Sequence, residues 1–91
     1  MTKRVPPKKI RLTATALEDL AYWQENNPKT VQRINVILES ILIDPERGIG
    51  KPEKLKYELS GAWSRRINHR DRVVYQIHGD TIIVLQLRDH Y

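Results

Sequence analysis

Glu53 lies in a lysine-rich stretch, Lys51-Pro-Glu-Lys54. A carboxylate so placed can take a proton from a hydroxyl next to a bound phosphate. Arg66 and Arg72 offer planar guanidinium donors that match two phosphate oxygens and keep their charge at any working pH. His90, next to the last residue, can give a proton to a leaving oxygen near neutral pH. The same residues also have a plain structural reading. Glu53 can be a solvated carboxylate balancing its lysines, the arginines can pair with Glu58 or Asp71 on an open sheet face, and a residue so near a terminus is often frayed.

Composition narrows the target. The 91 residues carry a net charge of +5. It is distributed as +4 over residues 1–9, −2 over 10–47 and +3 over 48–91. Cations are densest from Gly48 to Tyr75, where Lys51, Lys54, Lys56, Arg65, Arg66, Arg70 and Arg72 fall. An anionic polymer or an acidic protein is the natural complement. There is no cysteine, which removes thiol nucleophiles, thiolate ligands and disulfides. His69, His78 and His90 show no metal-ligand spacing, so no metal or other cofactor is expected. The apolar run at 36–43 is broken by Glu39 and Ser40 and falls short of the ~20 residues of a membrane span. With no apolar signal core near the start, a cytoplasmic protein without membrane contact is expected.

Length predicts one domain at 10–91, preceded by a basic tail at 1–9 that Pro6-Pro7 keeps from being helical. A short strand at 10–12 leads to Thr13 and Thr15, both candidate helix caps, and Thr15-Ala-Leu-Glu18 fits a capping box. The first helix then runs to about Glu25. Asn27 and Pro28 open a second helix, whose stripe of Val31, Ile34, Ile37, Leu38, Ile41 and Leu42 has helical spacing. Asp44-Pro45 ends it. The short link makes the helices an antiparallel hairpin. Strands are expected at 57–59, 63–69, 72–78 and 81–87, separated by turns at Ser60-Gly61, Arg70-Asp71 and Gly79-Asp80. The fold class is therefore α+β: a helix hairpin on one face of a twisted, largely antiparallel sheet of four to five strands.

Alternation along the strands adds a functional inference. If Val73, Tyr75 and Ile77, with Ile83, Leu85 and Leu87, face the helices, Arg66, Arg72 and Arg88 point to the opposite face. His90 shares the parity of Arg88, and Arg65 turns the other way. Tyr22, Trp23 and Trp63 are read as packing residues.

Several motifs together resemble the YoeB/Txe toxins of the RelE superfamily, members of type II toxin–antitoxin systems. They are Tyr22-Trp-Gln24, the segment 31–35, Asp44-Pro45, the run from Gly48 to Tyr57, Leu59-Ser-Gly-Ala-Trp-Ser-Arg-Arg-Ile67, Arg72-Val-Val-Tyr75 and the terminal Arg88-Asp-His-Tyr91. The resemblance implies a microbial-RNase-like α+β fold. It also implies a ribosome-dependent, metal-independent endoribonuclease that cuts mRNA in the ribosomal A site, leaving a 2′,3′-cyclic or 3′-phosphate and a 5′-hydroxyl. By the family pattern Glu53 matches the general base, Arg72 the phosphate-stabilising arginine, His90 the general acid and Tyr91 the tyrosine beside it. Lys56 and Arg66 match basic helpers. Lys51, Lys54 and Arg88 are further candidates for RNA contact.

The implied partners are the ribosome with its RNA, mRNA, an acidic YefM-like antitoxin, operator DNA reached through that antitoxin, and a second copy in a homodimer. Asp89 departs from the pattern, standing where the family carries an aromatic residue. Its carboxylate either strengthens proton binding at His90 or points away. Two rival functions share the fold: a ribosome- or RNA-binding module without chemistry, and a ParE-like gyrase inhibitor.

Overall fold

The computed structural model describes residues 6–89. Strand β1 (Lys9–Leu12) is followed by helices α1 (Ala14–Asn26) and α2 (Pro28–Ile43), then by β2 (Glu53–Lys54), a 3₁₀ turn (Tyr57–Leu59), β3 (Ala62–Arg66), β4 (Arg72–His78) and β5 (Thr81–Gln86). The sheet order is β1-β5-β4-β3-β2. All pairs are antiparallel except β1 with β5. The α+β hairpin-on-sheet architecture is thus as expected, with five strands and one parallel edge.

Thr13, not Thr15, caps α1. Its side chain accepts from the Ala16 amide at 3.2 Å and donates to the Leu85 carbonyl at 2.9 Å, so one hydroxyl both starts the helix and fastens it to β5. Pro28 occupies the first turn of α2, where a missing N–H costs nothing. Ile34, Ile37 and Ile41 are fully buried, with Val31 and Leu38 packed at their margin. Against them stand Val73, Tyr75, Ile82, Val84 and Leu87.

Three expectations fail here. Residues 57–59 form a 3₁₀ turn, and the edge strand is the Glu53–Lys54 pair instead. Tyr57 adopts φ +59°, in the left-handed region that no strand tolerates. On β5, Ile82 and Val84 face the helices in place of Ile83 and Leu85. Residues 82–85 are apolar without a break, so alternation alone could not choose a face. A register shift opposite Val74/Tyr75 then changes the phase by one, which returns Leu87 to the helix side. Leu85 joins Leu55, Leu59, Ala62 and Val74 in a second small cluster under the 55–59 segment. The strand expected at 63–69 stops at Arg66. The Asn68 side chain accepts from the amides of Arg70 and Asp71 at 2.8 and 2.7 Å and turns the chain.

Arg65 lies on the side away from Arg66, as alternation requires, and is completely buried. Its five N–H groups are all used. Nε donates to the Tyr75 hydroxyl at 3.1 Å, Nη1 to Ser40 Oγ at 2.7 Å and the Ile49 carbonyl at 3.3 Å, and Nη2 to the carbonyls of Asp44 at 2.6 Å and Arg47 at 3.0 Å. The Tyr75 hydroxyl donates in turn to the Pro45 carbonyl at 2.7 Å. The irregular stretch 44–50 is thereby wrapped around one guanidinium. Gly48, at φ +133°, has no room for a side chain: a Cβ would collide with Ser40 Oγ and lie 2.8 Å from Arg65 Nη1.

Arg65→Met should cost about 3 kcal/mol, because several buried carbonyls lose their donor together. Denaturant unfolding measures that loss, and faster amide exchange confined first to 44–50 would locate it. Burial also raises the Tyr75 pKa above 10.0, with the Arg65 hydrogen bond opposing the shift. The unfolded chain ionises its tyrosine first, so this stabilisation is complete below pH 10 and is lost as pH rises through the folded-state value. Denaturation midpoints between pH 9 and 11 should fall more steeply for the native chain than for Tyr75→Phe.

Candidate functional site

The sheet register decides which side chains share a face. Glu53 pairs with Ser64, Ser64 with Val74, and Arg66 with Arg72. Paired residues point the same way and alternate residues agree, so Glu53, Arg66 and Arg72 stand together on the face opposite the helices. The bond from the Arg66 amide to the Gly50 carbonyl, 2.6 Å, carries the pairing past β2 and fixes the approach of the Lys51–Glu53 segment. Lys51, Lys54 and Lys56 are exposed along it.

Arg72 is held from one side only. Its Nη1 donates to the carbonyls of Asn68, His69 and Asp71 at 3.0, 3.3 and 3.1 Å. Among the described residues its Nε and Nη2 make no hydrogen bond, which leaves a donor edge for an oxyanion. The Glu53 carboxylate is exposed and likewise has no partner among the described residues. Arg66 is exposed, while its carbonyl accepts from Arg33 Nη2 at 3.3 Å. Arg33, Arg66, Ile67, Asn68 and His69 line a groove of about 380 Å³ beside this face.

Arg88 is not on that face. Its guanidinium carbon sits 3.5 Å from the ring centroid of Tyr22, on α1. The chain leaves the sheet after Gln86, so strand parity no longer governs Arg88, and the ring captures its cation. His90 and Tyr91 lie outside the described residues.

The segment leading to them is firmly placed. The Leu87 amide donates to Asp19 Oδ2 at 2.9 Å, and the Leu87 carbonyl accepts from Trp23 Nε1 at 2.8 Å. Gln86 Nε2 donates to the Arg88 carbonyl at 2.9 Å. Asp71, only 6% exposed, accepts from the Asp89 amide at 2.7 Å and from Asn68 Nδ2 at 2.9 Å. The last described residue is therefore tied to the side chain that immediately precedes Arg72. The Asp89 carboxylate pairs with Arg70 at 3.2 Å. The sequence offers Asp71 as a turn residue and a possible arginine partner. Its position at a turn gave no sign that it would reach the chain terminus.

Comparison with known proteins agrees with this architecture. The family profile described as "YoeB-like toxin of bacterial type II toxin-antitoxin system" matches residues 12–91. The chain is 43% identical over 83 residues to "Toxin YoeB" of Streptomyces coelicolor, covering 91% of this chain and 99% of that protein. A YoeB/ParE toxin structure from Agrobacterium tumefaciens superposes with a TM-score of 0.89 at 36% identity, covering 92% of this chain and 100% of the other. YoeB in a heterotetrameric YoeB–YefM toxin–antitoxin complex from Staphylococcus aureus gives 0.85 at 44% identity, with 91% and 97% covered. Fold, extended sequence match and motif order lead to one conclusion: the chain belongs to the YoeB-like toxin family of bacterial type II toxin–antitoxin systems.

Proposed function

We propose that this toxin is a metal-independent endoribonuclease acting on mRNA in the ribosomal A site. The observation that carries the reading is the shared sheet face of Glu53, Arg66 and Arg72, with the terminal segment anchored beside Arg72 through Asp71. Glu53 takes the proton of a ribose 2′-hydroxyl, and O2′ attacks the adjacent phosphorus. The free edge of Arg72 and the Arg66 guanidinium neutralise the charge that develops on the non-bridging oxygens. His90 protonates the departing 5′-oxygen as the P–O5′ bond breaks, with Tyr91 beside it. The products are a 2′,3′-cyclic phosphate, which hydrolysis opens to a 3′-phosphate, and a 5′-hydroxyl. Lys51, Lys54 and Lys56 hold the flanking backbone.

The partner reading follows from the same surface. An acidic YefM-like antitoxin, of the kind bound in the Staphylococcus aureus complex, neutralises the cationic face when it folds over it. It also supplies the route to operator DNA.

On programmed ribosomes, Glu53→Gln and His90→Gln should each lower the cleavage rate about 100-fold or more while binding persists. Mapping transcript 5′ ends checks this. Undiminished translation arrest by both variants, with transcripts intact, would sink the nuclease and favour a pure binding module. DNA damage in place of translation arrest would instead favour gyrase inhibition. Asp71→Ala leaves Glu53 and Arg72 in place yet frees the terminal segment. It should slow cleavage about 10- to 100-fold, and exchange of the Asp89 amide should quicken in parallel.

A further inference from the structure

We infer that Tyr57 is a nucleobase platform at the rim of the Glu53 cleft, a stacking subsite for single-stranded RNA. The inference rests on the RNA reading above and extends it to a residue that reading does not use.

Tyr57 is 91% exposed. The other aromatic side chains among the described residues have structural work. Trp23 and Tyr75 are buried, Tyr22 lies under Arg88, and Trp63 packs against the main core. Among the described residues the Tyr57 ring has no such contact. It belongs to neither apolar cluster, although Leu55 and Leu59 on either side do. Its backbone is unusual as well. A φ of +59° is costly for a bulky residue. The turn is closed by main-chain bonds, Leu59 amide to Lys56 carbonyl at 3.3 Å and Ser60 amide to Tyr57 carbonyl at 3.0 Å. Glycine would serve that turn better, so neither packing nor local conformation accounts for a tyrosine.

What surrounds the ring indicates its ligand. Glu53, Lys54, Leu55, Lys56 and Tyr57 line one cleft of about 320 Å³. A bare aromatic face in a cleft shared with two lysines and the proposed base suits a nucleotide, with its base stacked on the ring and its phosphates near the ammonium groups. The base concerned belongs to a nucleotide next to the attacked ribose. Stacking accepts any base, so this subsite positions RNA without reading its sequence.

The test uses ribosomes programmed with mRNA that carries 2-aminopurine at each A-site position in turn. Deoxyribose in that codon prevents cutting. Binding of the native toxin should change the fluorescence at one position. Tyr57→Phe should keep both affinity and signal. Tyr57→Ala should bind about tenfold more weakly and lose the signal. Tyr57→Gly should bind as weakly as Tyr57→Ala yet melt at a higher temperature, because glycine accepts the positive φ. Native affinity and signal in Tyr57→Ala would overturn the subsite alone. Loss of antitoxin binding with ribosome binding intact would overturn it too, and reassign the ring to a protein contact. No binding of the native toxin to programmed ribosomes would overturn the subsite together with the RNA reading.

Discussion

The buried guanidinium of Arg65 is the constraint on which the site depends. A cation in a protein interior survives only if every donor is satisfied. Here five donors converge on one hydroxyl from the sheet, one from α2 and three carbonyls of the 44–50 stretch. That stretch has no regular backbone pairing of its own, so Arg65 supplies its framework. Since 44–50 delivers Lys51 and Glu53 to the edge of β3, the position of the proposed base is set from beneath by a residue on the other side of the sheet. The adjacent arginines thus divide the labour. Arg65 turns inward and holds the loop, and Arg66 turns outward beside Arg72.

The opposite end of the site is held by different means. Asp19 and Trp23 from α1 grip the backbone of Leu87, while Asp71 grips that of Asp89. The exposed Arg70–Asp89 pair adds little energy in water, but it occupies the carboxylate that the sequence had set beside His90. Each half of the site is therefore fixed chiefly through backbone groups held by buried or half-buried side chains. Among the described residues, Glu53 and the outer edge of Arg72 have no partner and are open to a ligand.

Much of this was legible in the sequence, for identifiable reasons. The second helix was clear because six apolar residues keep its period, and Pro28 and Asp44-Pro45 mark its ends. The shared face of Arg66 and Arg72 was clear because strand parity holds through β3 and β4, where Val73, Tyr75 and Ile77 mark the helix side. The sequence is silent where periodicity carries no phase. Residues 82–85 are all apolar, so their facing was settled by the register shift and not by pattern. Arg88 was misplaced because parity was extended past the end of a strand. Tyr57 was read as strand from its residue type, whereas a turn imposed a left-handed backbone on it. The role of Asp71 depends on a residue 18 positions away, a pairing that no local pattern encodes.

The stitching of α1 to the end of β5 bears on how the toxin is made. Thr13 bonds Leu85 across 72 residues, Trp23 bonds Leu87 across 64, and β1 lies parallel to β5 at the sheet edge. The first elements to leave the ribosome therefore lack their partners until the final strand has been synthesised and released. Such sequence-distant pairing delays completion of the fold until the chain is whole. Leu87, just past β5, is likewise held only when Asp19 and Trp23 of α1 are there to receive it. A nascent copy therefore reaches its assembled fold only after β5 has emerged to receive β1 and α1.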